Sequence, residues 1–136
     1  WGLYTKGGKL KYCYNFIGLD RIYVEAEQPL EPGERQVRIE FRYDGGGTGK
    51  GADLVLFAEG EEVGKGRTER SIPYLISLDE TLDIGTDAGT PVTDDYPARG
   101  NEFNGKIKWV QIDLEPDDHS HMIDSDHMAH VRLVKQ

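Results

Sequence analysis

The stretch that decides the fold is LDIGTDAGTPVTDDYPARGNEFNGKIKWVQIDL, residues 82–114. Its two ends, Leu82–Asp87 and Phe103–Leu114, have the composition of β-strands, and a loop rich in Gly, Pro and Asp connects them. The second end carries apolar residues on both faces, which is typical of a strand covered on both sides. We therefore predict a strand at the centre of a packed sheet, with Trp109 in the core.

The rest of the chain predicts further strands around this one. The clearest alternation is in Arg35–Tyr43, where every second residue from Val37 onward is apolar. Other strand-like runs are Gly2–Lys6, Lys9–Phe16, Arg21–Glu27, Ala52–Glu59, Glu62–Glu69 and Ser71–Leu78. About eight or nine short strands without a long amphipathic helix are typical of an all-β, antiparallel β-sandwich or jelly roll. We place this domain in residues 1–115 and a short polar, His-rich C-terminal tail in 116–136.

Charge excludes two classes of partner. The net charge of the 136 residues is −9, from 16 basic and 25 acidic side chains, and no stretch is strongly basic. Such a chain repels nucleic acid and anionic membranes, so neither is expected as a partner. Cation binding is electrostatically easier than anion binding.

The single cysteine excludes an internal disulfide. Cys13 alternates with lysines along its strand, so we predict a half-exposed thiol and not a catalytic one. The sequence shows no signal peptide and no transmembrane run, and it opens with Trp1 in place of an initiator Met. Because the first residues already have the pattern of a strand interior, we expect a fragment or an excised domain.

Several motifs together resemble the C-terminal β-domain that follows the catalytic domain in bacterial arylsulfatases. The matching segments are Gly7–Phe16, Phe41–Gly47, Asp83–Val92 with Asp94-Asp95-Tyr96, and Phe103–Ile112. The resemblance implies a laminin-G/concanavalin-like sandwich, a sulfatase catalytic domain as partner, and a bacterial cytoplasmic or periplasmic location. It also implies that the first strand of such a domain is missing before Trp1, which would leave an unpaired sheet edge and a route to homo-oligomers.

The resemblance does not extend to catalysis. Sulfatases convert a Cys or Ser within a Cys/Ser-x-Pro-x-Arg motif to formylglycine. Cys13 is not followed by that motif, and in Ser71-Ile72-Pro73-Tyr74-Leu75 the final position is Leu in place of Arg. We therefore expect the chain alone not to hydrolyse sulfate esters, with no catalytic residues to assign.

The Asp-rich region 83–96, which we call the acidic loop, suggests a calcium site. Asp87, Asp94 and Asp95, together with Asp83, lie among glycines and Pro91, and Ca²⁺ takes several carboxylate and carbonyl oxygens at once. Sandwiches of this type often hold Ca²⁺ at a sheet rim, which makes the first three residues the candidate ligands. The alternative is that these Asp side chains cap turns.

Three other groups of residues could form binding sites, and each also has an interpretation without a ligand. Asp44–Gly51 is rich in glycine but lacks the GxxxxGK[ST] phosphate-binding pattern, which favours a hairpin loop. The tail histidines match no recognised zinc pattern, and a solvated or docked tail is the alternative; they are His119, His121, His127 and His130. A set of aromatic residues allows either a sugar-stacking platform or core packing. Its members are Trp1, Tyr4, Tyr12, Tyr14, Tyr23 and Trp109.

Three functions compete at this stage. The first is a non-catalytic accessory domain of an arylsulfatase-like hydrolase that serves packing, stability or oligomerisation. The second is a carbohydrate-binding module for sulfated glycans, with aromatic residues beside Lys9, Lys11 or Arg99. The third is a small glycosidase with Glu40 as its base, which lacks the expected Glu-x-Asp-x-x-Glu strand motif.

Overall fold

The computed structural model describes residues 1–73 and 82–114. Within these ranges the chain forms six β-strands and no helix. The strands are β1 (Gly2–Lys6), β2 (Lys9–Phe16), β3 (Asp20–Glu25), β4 (Val37–Tyr43), β5 (Ala52–Ala58) and β6 (Glu61–Thr68). They make two three-stranded antiparallel sheets, ordered β1-β2-β3 and β4-β5-β6. The all-β, antiparallel prediction is confirmed for this part of the chain.

Short connections create both sheets. Gly7 and Gly8 take φ angles of +58° and +81°, which gives the two-residue turn between β1 and β2. Glu59 and Gly60 do the same between β5 and β6, with φ angles of +53° and +87°. Each turn sets the register of its hairpin, and the register places the apolar residues of neighbouring strands on one face.

The two sheets enclose one core in a sandwich-like arrangement. The first sheet contributes Leu10, Tyr12, Tyr14 and Val24, and the second contributes Leu54 and Leu56, all of them buried. Alternate residues of β2 and β3 therefore face inward. Burial of several large side chains, at about 1.5–3 kcal/mol each, is the main stabilising contribution of this core.

The sheets approach most closely where β6 passes β3. The Glu27 amide donates to the Val63 carbonyl over 2.9 Å. A Cβ atom on Gly64 would lie 2.7 Å from the Glu25 carbonyl oxygen, and one on Gly66 would lie 2.6 Å from the Val24 Cγ2. The two glycines in β6 thus allow a backbone approach that any larger residue would obstruct.

The prediction for residues 82–114 is wrong. Neither Leu82–Asp87 nor Phe103–Leu114 forms a strand, and Trp109 is 61% exposed instead of lying in the core. The reason is that a strand needs a hydrogen-bonded neighbour, and none of the described strands pairs with this segment. Alternation in the sequence favours an extended backbone but does not supply the partner.

Two further predictions concern residues beyond the described ranges. Most of the predicted strand Ser71–Leu78 lies outside them, and residues 71–73 form no strand. The proposed tail over 116–136, with its four histidines, also lies outside the described residues.

Candidate functional site

The outer face of the first sheet carries most of the basic and aromatic side chains near the acidic loop. With a side-chain period of two, this face is formed by Tyr4 and Lys6 of β1, Lys9, Lys11, Cys13 and Asn15 of β2, and Arg21, Tyr23 and Glu25 of β3. The register pairs Tyr4 with Lys11 and Cys13 with Tyr23. A segment of the acidic loop lies across this face.

Val92 and Thr93 make the closest contacts of that segment. The Val92 carbonyl accepts hydrogen bonds from Asn15 Nδ2 at 3.0 Å, Arg21 Nε at 3.2 Å and Cys13 Sγ at 3.5 Å. The Thr93 hydroxyl donates to the Tyr23 hydroxyl at 3.1 Å, and Thr93 is buried. These contacts fix residues 92–93 against the middle of the sheet.

The covering segment corrects the prediction for Cys13. Its thiol is fully buried, not half-exposed, because Val92 lies above it. Burial raises the pKa of the Cys13 thiol, and hydrogen bonds from Tyr23 and Thr93 oppose that rise in part. A neutral, covered thiol fits a packing role.

Asp95 is the electrostatic centre of the site. Its Oδ2 lies 2.6 Å from Lys11 Nζ and accepts a hydrogen bond from the Tyr4 hydroxyl at 2.6 Å, while Oδ1 lies 3.3 Å from Lys6 Nζ. Partial burial disfavours the charged carboxylate, but the hydrogen bonds from Lys11, Tyr4 and Lys6 outweigh it and lower the pKa of Asp95 to about 2. The same contact with Asp95 raises the pKa of Lys11.

The other predicted calcium ligands also contact protein groups. Asp94 Oδ2 lies 3.1 Å from Arg21 Nη1, at the exposed rim of the face. Asp87 Oδ2 accepts hydrogen bonds from the Val92 amide at 2.9 Å and the Tyr96 hydroxyl at 2.8 Å. Asp83 Oδ2 accepts the Ala88 amide at 2.8 Å. The contacts of Asp87 and Asp83 are the turn and cap contacts of the alternative interpretation, whereas Asp94 forms an ion pair with a distant residue.

The donor groups present do not point to a cation. Among the described residues, no cluster of three or more His, Cys, Asp or Glu side chains has an arrangement suited to a metal ion. In the same part of the chain every buried side-chain oxygen and nitrogen has a hydrogen-bond partner, so none is left waiting for a ligand. Calcium binding by Asp87, Asp94 and Asp95 stays a prediction. To bind the ion, the Asp95 carboxylate would have to give up its contacts with Lys11 and Tyr4.

The aromatic set is divided between two environments. Tyr12 and Tyr14 are buried in the core, and Trp1 stacks on Tyr12 with ring centroids 6.3 Å apart. Tyr23 lies on the outer face, 41% exposed, with Lys11 Nζ 5.6 Å from its ring centroid. Lys9 and Lys11 both pair with Glu25 beside it, at 3.1 and 3.3 Å. A sugar-stacking surface formed by the whole set is therefore not present, although the Tyr23 corner is accessible.

The glycine-rich loop is held by the protein itself. Arg67 pairs with Asp44 at 2.8 Å and lowers the pKa of that carboxyl, and the Asp44 amide donates to the Gly51 carbonyl at 3.0 Å. The Tyr43 hydroxyl donates to the Gly47 carbonyl and accepts the Lys50 amide at 3.0 Å. These contacts agree with the hairpin-loop interpretation.

Glu40 and Ser71 have ordinary structural surroundings. Glu40 lies between Arg38 at 2.7 Å and Arg42 at 2.6 Å on the outer face of β4. Ser71 is buried, and its amide donates to the Gly49 carbonyl over 3.4 Å. In the part of the chain that the structure describes, neither side chain lies beside a partner that would make it a base or a nucleophile.

A second candidate surface is the apolar segment that failed to form a strand. Residues 106–114 run without a turn or bend, and we refer to them as the apolar segment. Its exposed apolar residues are Ile107, Trp109, Val110, Ile112 and Leu114. Just before the segment the Phe103 amide donates to the Gly85 carbonyl at 2.7 Å, and within it Lys108 Nζ lies 2.5 Å from Glu34 Oε2 in the β3–β4 connection. Contiguous exposed apolar residues of this kind mark interaction surfaces.

The sequence indicated part of the outer-face site and missed the rest. It singled out Asp87, Asp94 and Asp95, and it named Lys9 and Lys11 for a different role. It missed Thr93, Lys6 and Asn101. The Asn101 side chain accepts a hydrogen bond from the Asp87 amide and donates one to the Asp87 carbonyl, each over 2.9 Å. No sequence spacing connects Lys6 with Asp95, because 89 residues separate them.

Among the described residues no helix is long and apolar enough to cross a membrane. Comparison of the chain with protein-family models, with curated proteins and with solved structures found no match.

Proposed function

We propose that the chain is a non-catalytic accessory domain of an arylsulfatase-like hydrolase, with a laminin-G-type jelly roll as its finer fold. One observation carries the proposal. The apolar segment exposes Trp109, Ile112 and Leu114 by 61%, 54% and 88%, and covering these side chains with another polypeptide would lower the free energy. A domain built for assembly or packing accounts for this surface.

The chemistry of the site supports a role without catalysis. Cys13 is buried under Val92 and lacks the Cys/Ser-x-Pro-x-Arg context, so it cannot act as a formylglycine precursor. Arg21 and Lys11 contact Asp94 and Asp95, which leaves little positive charge free to hold a sulfate group. On the outer face of the first sheet, the carboxylates of Glu25, Asp94 and Asp95 neutralise the basic groups that could bind an anionic substrate.

Two measurements test this proposal. The purified chain should not hydrolyse p-nitrophenyl sulfate above the buffer rate, and turnover that purifies with the chain would overturn the proposal. The chain should also bind a separately expressed arylsulfatase catalytic domain or assemble with itself. The variant Trp109→Ser should weaken that association, whereas Ile17→Ser, at a residue that is 56% exposed in the β2–β3 turn, should not.

The second candidate is a carbohydrate-binding module for sulfated glycans, favoured by exposed Tyr23 beside Lys9 and Lys11. A glycan array and titration calorimetry, each with and without Ca²⁺, test it. Binding that Tyr23→Ala abolishes would support this function, and absence of binding under both conditions would exclude it.

A further inference from the structure

The outer face of the first sheet concentrates positive charge on a chain whose net charge is −9. Its only acidic side chain is Glu25, against the four basic side chains of Lys6, Lys9, Lys11 and Arg21. Lysine and arginine side chains donate hydrogen bonds and cannot accept them. The face is therefore suited to a ligand that supplies acceptor groups and negative charge.

Residues 92–95, which we call the strap, supply such groups from within the chain. The Val92 carbonyl accepts hydrogen bonds from Asn15 Nδ2 at 3.0 Å and Arg21 Nε at 3.2 Å. The two carboxylates that follow form ion pairs, Asp94 with Arg21 at 3.1 Å and Asp95 with a lysine of β2 at 2.6 Å. On the sheet, these contacts are all made by side chains, which can turn to another acceptor while the strands stay paired.

We propose that the strap is an exchangeable intramolecular ligand, and that the face beneath it binds an acidic, extended segment of a partner polypeptide when the strap is released. The chemistry of the partner is argued from the strap, in which a backbone carbonyl at position 92 and carboxylates at 94 and 95 already match the donors of the face. A partner segment with the same spacing would form the same contacts. This surface is separate from the apolar segment, so the inference goes beyond the proposed function and does not depend on it.

The strap competes with such a partner because both need the same donors. A ligand tethered to the same chain acts at a high effective concentration, and a partner that binds only the uncovered face has its apparent affinity reduced by the fraction of molecules that are uncovered. The Asp94 side chain is 79% exposed and the Arg21 side chain 28% exposed, and ion pairs this accessible to water contribute little. Removing the carboxylates of the strap should therefore shift the equilibrium towards the uncovered face.

Cys13 reports whether the strap is in place. Its thiol is fully buried and lies 3.5 Å from the Val92 carbonyl oxygen, so an alkylating reagent reaches it only when the strap moves. In the full chain, the double variant Asp94→Asn, Asp95→Asn should raise the rate of Cys13 alkylation by iodoacetamide at least about tenfold. The control Glu61→Gln, Glu62→Gln makes the same change in net charge at an exposed turn and should leave the rate unchanged.

Urea unfolding of the same proteins separates movement of the strap from global unfolding. The strap variant should remain folded, with Cys13 alkylation accelerated well beyond what its loss of stability explains. The single variant Asp94→Asn should change the rate in the same direction by a smaller factor. An unchanged rate in the double variant, or a rate that rises only in proportion to the loss of stability, would overturn the inference.

Binding of a synthetic peptide tests the partner. The probe is a fluorescent copy of residues 90–97, TPVTDDYP, and the control peptide has Asn at both Asp positions. Fluorescence anisotropy should show the probe binding the strap variant at least about tenfold more tightly than the wild type. The bound probe should also slow Cys13 alkylation in that variant, and the control peptide should do neither. Adding Lys11→Gln to the strap variant should remove the binding.

Two results would overturn the proposed partner. One is equal affinity of the probe for the wild type and the strap variant. The other is protection of Cys13 by a heparin oligosaccharide where the acidic peptide gives none, which would assign the face to a sulfated glycan. Neither result bears on aryl sulfate turnover or on the Trp109→Ser variant, so failure of this inference leaves the accessory function standing.

Discussion

Strand β2 and the apolar segment begin with the same residue pattern and have opposite environments. Lys9-Leu10-Lys11-Tyr12 lies in the middle of a sheet, whereas Lys106-Ile107-Lys108-Trp109 has no described strand beside it. Tyr12 is 2% exposed and Trp109 is 61% exposed. The difference is the partner: β2 is joined to both neighbours by short turns, and the apolar segment follows a long loop. Alternation thus indicates the ability to form a strand, and short-range connections decide whether one forms.

The largest expected effect comes from the core of the paired region. Leu54 is fully buried between the sheets, so Leu54→Ala should lower the free energy of unfolding by about 3 kcal/mol. Ile112→Ala in the apolar segment, where the side chain is 54% exposed, should change it by less than about 0.5 kcal/mol. Urea unfolding measures both. Comparable losses would show that the apolar segment is packed after all.

The close contact of β3 with β6 should give the next largest effect. Alanine at Gly64 would place its Cβ 2.7 Å from the Glu25 carbonyl oxygen, and backbone cannot move away as a side chain does. We expect Gly64→Ala to destabilise the fold by about 2 kcal/mol. Lys65→Ala, at the neighbouring exposed position, is the control and should cost less than about 0.5 kcal/mol. A tolerated Gly64→Ala would contradict the observed separation of the sheets.

The contact between the first sheet and the acidic loop should depend on pH. The pKa of Asp95 is lowered to about 2, below the ordinary value of 3.8, so its stabilising contribution is complete above about pH 4 and is lost as the pH falls towards 2. Since Lys6 and Asp95 are partly solvated, this contribution is discounted to about 1 kcal/mol. Urea midpoints at pH 6 and pH 2.5 should differ less in Asp95→Asn than in the wild type. Equal acid sensitivity of the two proteins would argue against the Lys11–Asp95 contact.

The smallest expected effect is a gain in the turn between β2 and β3. Ile17 and Gly18 have φ angles of +46° and +75°, and the Leu19 amide donates to the Phe16 carbonyl at 2.9 Å, which describes a turn that favours Asn followed by Gly. Ile17→Asn should therefore stabilise the hairpin by about 0.5 kcal/mol. Leu19→Asn, a comparably exposed position without a positive φ angle, should give no gain. Thermal unfolding of the two variants distinguishes these outcomes.

Much of the first 73 residues could be predicted from the sequence. The strands β1 to β6 follow from period-two alternation and their tight turns from glycine, both of which are local properties, although Phe41 and Tyr43 on the alternating face of β4 are 39% and 38% exposed. For the acidic loop the sequence left calcium ligation and turn capping open; Asp83 and Asp87 accept backbone amides there, whereas Asp94 and Asp95 form ion pairs. The jelly-roll type, the sulfatase partner, glycan binding and calcium binding stay predictions.

Only the tertiary structure decided which residues the loop covers and which segment lacks a partner. Cys13 is buried because Val92, 79 positions later, lies with Thr93 on its face of the sheet. Trp109 is exposed because no described strand pairs with its segment. Both outcomes depend on contacts between residues distant in sequence, and local propensity carries no information about them. A residue's own neighbours determine the shape of its backbone, and its burial depends on what else folds against it.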